Sequence, residues 1–193
     1  MGHRLITGPA VEPITLAEAK LHLRIEDAVT ADDDLITSLI VAARQAAEHE
    51  CRRALITQTW ELSIDAFPAC DIELPQARLI DITSVTYIDA AGDSQVLDAA
   101  AYTTDTDQEP GWLLPEVDTD WPDTLDTANA VRIRYRAGYG ATAGTVPDAI
   151  KAWMKLRIGA LYRHREELSG VASYKLAERF SDSLLDPFRI VLT

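Results

Sequence analysis

The sequence contains few side chains whose types and spacing could perform chemistry together. His49-Glu50-Cys51 combines an imidazole, a carboxylate and a thiol, but neighbouring helical residues point about 100° apart and cannot converge on one ion unaided. Asp32-Asp33-Asp34 lacks the alternate spacing, the glycine and the distal glutamate of a calcium-binding loop. We therefore interpret the three aspartates as a solvated first helical turn, and neither run as a metal site.

Three further patterns match enzyme motifs only in part. Gly138-x-Gly140-x-x-x-Gly144 differs by one position from the dinucleotide-binding pattern and lacks the Lys-Ser/Thr ending of a phosphate-binding loop. Asp118 and Asp120 could serve glycoside hydrolysis, but so acidic a block always contains such pairs. The serines and histidines follow no triad order. We predict no catalytic residue, no cofactor and no bound metal, and expect a protein that is not an enzyme.

Charge is distributed unevenly along the 193 residues, whose net charge is −13. From Glu61 to Ala130 there are 16 acidic residues and one basic residue, whereas Val131 to Arg165 holds eight basic residues and one acidic residue. The overall acidity argues against a protein that coats DNA, because such proteins neutralise phosphates with Lys and Arg. Adjacent blocks of opposite charge are typical of an assembly component that presents each sign to a different neighbour.

Composition places the chain among folded globular proteins, with 47% hydrophobic and 25% charged residues. It contains no apolar run of the ~18–20 residues that a bilayer span needs, so we expect no membrane association. The first residues lack the apolar segment of a secretory signal. Cys51 and Cys70 are too few for a disulfide framework, and we expect both to be reduced.

Helical patterns occur on both sides of the acidic block. Thr15-Leu16-Ala17-Glu18 is a capping box that begins a short helix ending near Ile25. A second helix follows the aspartate run and ends near Cys51, with alanines on its apolar stripe. A third begins near Pro147 and continues towards a break at 169–170. A short helix over 174–180 and an apolar terminal cluster complete the chain.

Alternating patterns between the helices predict strands. They occur at 57–65 and 129–136. A β-branched and aromatic stretch at 82–89 predicts a further strand, and a turn at 90–93 leads from it into 94–97. In the last of the alternating strands, Val131, Ile133 and Tyr135 are predicted to face inward and the arginines outward. The predicted fold class is α+β, in which an N-terminal helical hairpin and a C-terminal long helix form a helical core with an inserted, small, mostly antiparallel β-domain. The predicted boundaries are a helical part at 1–56, the acidic β-domain at 57–136, a hinge and long helix at 137–168, and a tail at 169–193.

The order of several packing motifs resembles a known family. The motifs are Pro-Ile-Thr-Leu-Ala-Glu-Ala-Lys at 13–20, Arg-Ala-Leu-Ile-Thr-Gln-Thr-Trp at 53–60, Ile-Thr-Ser-Val-Thr-Tyr-Ile-Asp at 82–89, Arg-Ala-Gly-Tyr-Gly at 136–140, Val-Pro-Asp-Ala-Ile-Lys at 146–151 and Tyr-Arg-His-Arg-Glu at 162–166. This order is similar to that of the head–tail connector (adaptor) proteins of long-tailed bacteriophages and gene transfer agents. The resemblance extends from Pro13 to about Glu167, and the tail beyond matches no pattern.

The resemblance implies a structural ring protein of the particle neck, assembled in the bacterial cytoplasm. Such connectors bind beneath the portal protein, usually in twelve copies, and extend the channel through which DNA leaves the capsid. The implied partners are the portal, neighbouring copies of the chain, and a stopper or terminator protein on the tail side. DNA would pass through transiently without specific binding.

Three sets of residues become candidate interaction sites under this interpretation. Carboxylates facing the channel or the tail would repel DNA phosphates and let DNA slide; the set is Asp105, Asp107, Glu109, Asp118 and Asp120. A basic helix would contact neighbouring subunits or another partner through Lys151, Lys155, Arg157, Arg163 and Arg165. The terminal cluster would anchor the chain to the portal through Leu184, Leu185, Pro187, Phe188, Arg189 and Ile190.

Three alternatives remain open from the sequence. The chain could be another neck component, either a stopper or a tail terminator, although the N-terminal helical pair disfavours that position. It could be an acidic polysaccharide hydrolase, for which the sequence nominates no carboxylate pair. It could also be a DNA-binding packaging factor built on the basic helix, which the overall charge opposes.

Overall fold

The computed structural model describes residues 1–164 and 183–190. It divides into two compact units: a β-unit formed by Met1–Pro9 and Thr57–Tyr139, and a helical unit formed by Ala10–Ile56 and Gly140–Thr193. Helices and antiparallel strands together confirm the predicted α+β class. Arg165, the predicted break at 169–170 and the predicted helix at 174–180 lie outside the described residues.

The helical unit contains three α-helices among its described residues: α1 (Leu16–Leu23), α2 (Asp33–Cys51) and α3 (Asp148–Arg163). The predicted capping box is present, since Thr15 Oγ1 accepts a hydrogen bond from the Glu18 N–H at 3.2 Å. In return, the Glu18 carboxylate accepts one from the Thr15 N–H at 2.8 Å. Arg24, in the left-handed region with φ 60°, ends α1. A local sequence pattern therefore fixes where this helix begins.

Apolar stripes on the two longer helices form the core of the helical unit. The buried stripe residues are Ile36, Ile40, Ala43 and Ala47 of α2, and Ile150, Trp153, Met154 and Ile158 of α3. The two alanines are fully buried, which lets the backbones approach closely. None of the helices among residues 1–164 and 183–190 is long and apolar enough to cross a membrane.

Two antiparallel sheets form the β-unit. The strands are β1 (Gly2–Thr7), β2 (Gln58–Ile64), β3 (Ile72–Leu74), β4 (Leu79–Ile88), β5 (Ser94–Val96), β6 (Tyr102–Asp105), β7 (Gly111–Pro115) and β8 (Val131–Ala137). The larger sheet has the order β1-β2-β8-β4-β5, and the smaller has the order β3-β7-β6. No strand is predicted before Thr57, whereas β1 forms the edge of the larger sheet and pairs with β2.

The side chains of strand β8 show which face of the larger sheet is buried and which is exposed, called here the inner and the outer face. Burial along β8 alternates strictly, with Val131, Ile133 and Tyr135 buried and Arg132, Arg134 and Arg136 exposed, as predicted. Successive strand residues point to opposite faces. The outer face of the larger sheet is therefore the face on which the arginines lie.

The smaller sheet packs over the inner face. The Gln76 N–H, which follows β3, donates a hydrogen bond to the Tyr135 hydroxyl at 3.2 Å. A methyl group at Gly111, where β7 begins, would lie 2.5 Å from Leu79 Cβ, so only glycine permits this approach. These contacts place the smaller sheet on the side of the larger sheet opposite the arginines.

Candidate functional site

The sequence patterns that could perform chemistry do not assemble into a reactive centre. At the end of α2, Cys51 is buried whereas His49 and Glu50 are exposed, and Glu50 accepts a hydrogen bond from Arg189. Within the described part of the chain, no three His, Cys, Asp or Glu side chains are grouped to hold a metal ion. The remaining candidate functional surfaces are the acidic residues, the basic residues and the terminal apolar cluster, each of which could bind another protein.

The two thiols differ sharply in their environments, which gives a first prediction. Burial raises the pKa of Cys51 to about 11, whereas Cys70 is exposed. Because the thiolate is the reactive form, we expect iodoacetamide at neutral pH to label one thiol in the native protein and both after denaturation, as counted by mass spectrometry. Cys70→Ser is the control and should abolish native labelling. Rapid native labelling of Cys51 would contradict the packed environment.

The structure separates the five predicted acidic residues into two groups. Asp105, Asp107 and Glu109 lie at the turn between β6 and β7. Asp105 accepts hydrogen bonds from the Asp107 N–H and the Gln108 side chain at 2.9 Å, and the backbone hydrogen bond contributes most to lowering its pKa. Asp118 and Asp120 are exposed and follow β7 in the stretch 116–126, whose acids form no ion pair with any described residue. Their charges are therefore not compensated by an ion pair within the described part of the chain.

A row of four arginines lies on the outer face of the larger sheet: Arg4, Arg132, Arg134 and Arg136, called here the arginine row. It surrounds the carboxylate of Glu61, a residue only 1% exposed. The Glu61 oxygens lie 2.6 Å from Arg4 Nη2, 2.8 Å from Arg134 Nε and 3.8 Å from Arg132 Nη1. Arg136 forms a two-pronged pair with Asp81. The four guanidinium groups face two carboxylates, which leaves an excess of positive charge.

Hydrogen bonding, not solvation, keeps Glu61 ionised. Burial alone opposes the charged form, but hydrogen bonds from Arg134 and Arg4 outweigh it and hold the pKa of Glu61 below its ordinary value of 4.5. The arginine side chains remain about half exposed, from 48% to 59%. The guanidinium groups are thus held in place by Glu61 and still accessible from solvent.

The predicted basic helix does not present one continuous surface. Lys151 and Lys155 are one turn apart on α3 and half-buried, and Lys155 Nζ lies 3.9 Å from the Glu18 carboxylate. Arg157 and Arg163 are exposed, and Arg157 lies about 200° around the helix from Lys155. The four described basic residues are therefore spread around α3.

The predicted portal-docking cluster packs partly against its own chain. Leu185 is fully buried, and Leu184, Phe188 and Ile190 are half-buried. Arg53 donates a hydrogen bond to the Phe188 carbonyl. The Ile190 N–H donates to the Cys51 carbonyl at 3.3 Å, and Arg189 pairs with Glu50 at 3.1 Å. Pro187 is exposed. Leu185 thus belongs to the core of the helical unit, and only the other members of the cluster offer surface to a partner.

Two of the charged groupings in the structure were not predicted from the sequence. The outward arginines of β8 were predicted, but Arg4 was not joined to them because β1 was not recognised as a strand. Glu61 was not joined to them because the pairing of β2 with β8 was not predicted. In the helical unit, buried Arg44 pairs with Glu48 at 2.7 Å and with Glu12 at 2.8 Å. The i,i+4 spacing of Arg44 and Glu48 is a sequence pattern that could have indicated this pair.

Comparison with known proteins finds a match to one protein family and several solved structures with a similar fold. Residues 13–84 match the model of the phage gp6-like head-tail connector protein family. No curated protein matches the chain. Among solved structures, the chain is similar to a chain in the neck of an empty gene transfer agent (GTA) particle computed with C6 symmetry, with 23% identity, a TM-score of 0.83, and coverage of 100% of this chain and 97% of that one.

Two further structures have the same fold and the same coverage, 100% of this chain and 97% of each other chain. One is a chain in the virion of a native GTA particle, with 22% identity and a TM-score of 0.82. The other is in the neck of a native GTA particle computed with C12 symmetry, with 23% identity and a TM-score of 0.78. The resemblance found in the sequence is therefore confirmed: residues 13–84 match the gp6-like head–tail connector family, and the fold of the chain is similar to that of chains in GTA particles.

Proposed function

We propose that this protein is a structural head–tail connector (adaptor) subunit that forms a ring beneath the portal, extends the DNA channel and provides a surface for tail attachment. The observation that carries this proposal is the full-length similarity, at a TM-score of 0.83, to a neck chain from a particle computed with C6 symmetry. The similar chain from a C12 neck favours a ring of identical copies. Such a ring needs a heterologous interface that closes on itself.

The acidic stretch 116–126 suits the wall of a DNA channel. Asp118 and Asp120 are exposed, and no described residue compensates their charges through an ion pair. Uncompensated carboxylates repel phosphates, so DNA would slide past without being held. We assign this stretch to the channel or to the tail side of the ring.

The exposed parts of residues 183–190 suit portal docking. Pro187 is exposed, and Leu184 and Phe188 are half-buried, so apolar surface remains available after Leu185 has entered the core. Deleting the whole segment would remove Leu185 as well and would destabilise the helical unit. Portal binding is therefore tested with point variants that leave Leu185 in place.

The test is co-expression with the portal protein of the same particle, followed by size-exclusion chromatography and negative-stain imaging. We expect a co-migrating complex with an additional ring beneath the portal. Leu184→Asp/Pro187→Asp should lower the recovered complex at least about tenfold, since a charge buried at a docking surface costs more than about 1.4 kcal/mol. Leu21→Asp is the matched control, because Leu21 is 79% exposed on α1 and lies outside the segment.

Three results would count against the proposal in different ways. If the folded protein does not bind the portal but binds a tail-side neck protein, the chain would be assigned to the stopper or terminator position. A folded protein that binds no neck component would overturn the structural role and return attention to an enzymatic one. Equal portal binding by the wild type and the double variant would overturn only the docking segment.

A further inference from the structure

The positive charge of the β-unit is gathered on one face. Every arginine of this unit except Arg78 belongs to the arginine row on the outer face of the larger sheet, and the unit contains no lysine. Among residues 1–164 and 183–190, only Glu61 and Asp81 offset the row through ion pairs. Arg78 lies apart from the row and pairs with Glu109 at 3.6 Å. This unit therefore carries a localised positive surface within a strongly negative whole.

The opposite side of the β-unit is acidic. The smaller sheet covers the inner face of the larger sheet, as the Gln76–Tyr135 hydrogen bond shows. Glu73 alternates with buried Ile72 and Leu74, so its carboxylate points away from the core. Asp71 and Asp107 are exposed on the same sheet and its turn. This set, Asp71, Glu73, Asp105, Asp107 and Glu109, is called here the acidic sheet.

We propose that the arginine row of one copy binds the acidic sheet of the neighbouring copy, so that identical subunits associate head to tail. The inference rests on the proposed ring and names the surfaces that would form its contact. It reassigns Asp105, Asp107 and Glu109 from the channel wall to the interface between copies, and leaves Asp118 and Asp120 for the channel.

The geometry of the row fits an incoming carboxylate surface. Each guanidinium has five N–H donors, and Glu61 and Asp81 occupy only some of them. Because these carboxylates already hold the arginines in place, the arginine side chains lose little further conformational entropy when a partner binds. Arginine pairs with carboxylates through two parallel hydrogen bonds, which adds direction to the attraction.

Charge also decides how two copies meet. A symmetric contact would place one arginine row against another, or one acidic sheet against another, and like charges facing each other across an interface weaken binding. Only the row-to-sheet arrangement pairs opposite charges. Because the two surfaces lie on opposite sides of the unit, each copy can engage two neighbours at once, as a heterologous interface requires.

Duplex DNA is the other polyanion that could bind the row, but the chain disfavours it. The net charge of −13 repels phosphates at long range. The row also offers an excess of only two positive charges after its own ion pairs, fewer than the multiple phosphate contacts on which DNA affinity depends. A small acidic protein surface therefore matches the two excess positive charges of the row better than duplex DNA does.

The test reverses the charges of each surface separately. Variant A is Arg132→Glu/Arg136→Glu, which spares Arg4 and Arg134, the residues closest to Glu61. Variant B is Glu73→Arg/Asp107→Arg. Self-association of the full chain is measured by sedimentation velocity and cross-linking at low salt, with and without the portal. We expect the wild type to associate, and A or B alone to associate at least about tenfold more weakly. An equimolar mixture of A and B should recover association. In a ring where A and B alternate, the reversed row of A faces the reversed sheet of B, and the unchanged row of B faces the unchanged sheet of A, so every interface pairs opposite charges.

Controls separate folding from binding. Arg132→Glu is compared with Arg24→Glu, the same charge reversal at an exposed arginine of the helical unit that belongs to neither surface, and only Arg132→Glu should weaken association. If the circular dichroism spectrum of A differs from that of the wild type, Arg132→Gln/Arg136→Gln replaces it. Duplex DNA binding is measured in parallel by fluorescence anisotropy.

The outcomes distinguish this inference from the proposed function. Equal association of the wild type, A and B would overturn the row-to-sheet contact and leave the connector role intact. Absence of association in every sample, with or without portal, would also overturn it. Loss of DNA binding in A, with self-association unchanged, would assign the row to nucleic acid. Recovery of association in the A and B mixture without any portal binding would support the contact and contradict the connector role.

Discussion

Replacing Arg44 by alanine is expected to lower the free energy of unfolding by about 3–5 kcal/mol, the usual cost of breaking a buried ion pair from one side. Arg44 is 6% exposed and bridges Glu48, at 2.7 Å, and Glu12, at 2.8 Å. Glu48 also accepts a hydrogen bond from the Leu55 N–H at 3.0 Å. Without the guanidinium, the carboxylate of Glu48 would be left with little access to water and without its charged partner, and Glu12 would lose the same partner.

The measurement is urea denaturation followed by circular dichroism. Arg157→Ala is the matched control, because Arg157 is exposed on α3 and should change stability by less than about 0.5 kcal/mol. Arg44→Met/Glu48→Gln should recover part of the loss, since glutamine carries no charge and its carbonyl still accepts from Leu55 N–H. A loss in Arg44→Ala no larger than in the control would show that the network contributes little.

Features set by local sequence were predicted well. The capping box at Thr15 and Glu18 fixes the beginning of α1 through contacts three residues apart. The alternation along β8 follows from a sheet with one covered face and one open face, so the side-chain pattern alone reports it. The burial of α3 likewise follows from the period of its apolar residues.

Features set by distant pairing were not predicted. All six residues of β1 are exposed, so the strand has no apolar alternation, and its pairing with β2 spans more than fifty residues of chain. Strand β3 has only three residues, too few for a period to be recognised. These strands form because their backbones hydrogen-bond to neighbouring strands that are distant in the sequence. The pattern of a single sequence does not show which segments will pair in this way.

The candidate surfaces divide in the same way. The outward direction of Arg132 and Arg134 was predictable, but the burial of Glu61 beneath them was not, because it depends on which strands lie side by side. The apolar composition of the terminal cluster was predictable. Composition does not show, however, whether an apolar residue binds a partner or, like Leu185, packs into the core of the same chain. Whether a side chain is available to a partner is a tertiary property.

Glu61→Gln is expected to destabilise the β-unit by about 1–3 kcal/mol near neutral pH, the usual cost of losing charge-assisted hydrogen bonds. The amide would still accept one hydrogen bond but would no longer neutralise Arg4 and Arg134. The loss should be smaller than for Arg44→Ala because the arginines around Glu61 are half exposed and can turn to water. Glu109→Gln is the control, since Glu109 lies 3.6 Å from the exposed Arg78.

The dependence on pH provides the sharper test of Glu61. Its pKa in the folded protein is held below the ordinary value of 4.5, so the ionised form stabilises the fold above that value. This contribution is lost as the pH falls through the lower, folded-state pKa, because the folded protein then takes up the proton. Unfolding curves of the wild type and Glu61→Gln should therefore differ by a constant amount at neutral pH and converge as the pH is lowered below 4.5. A difference that stays constant into that acidic range would mean that the substitution acts through packing, and that the buried carboxylate does not anchor the arginine row.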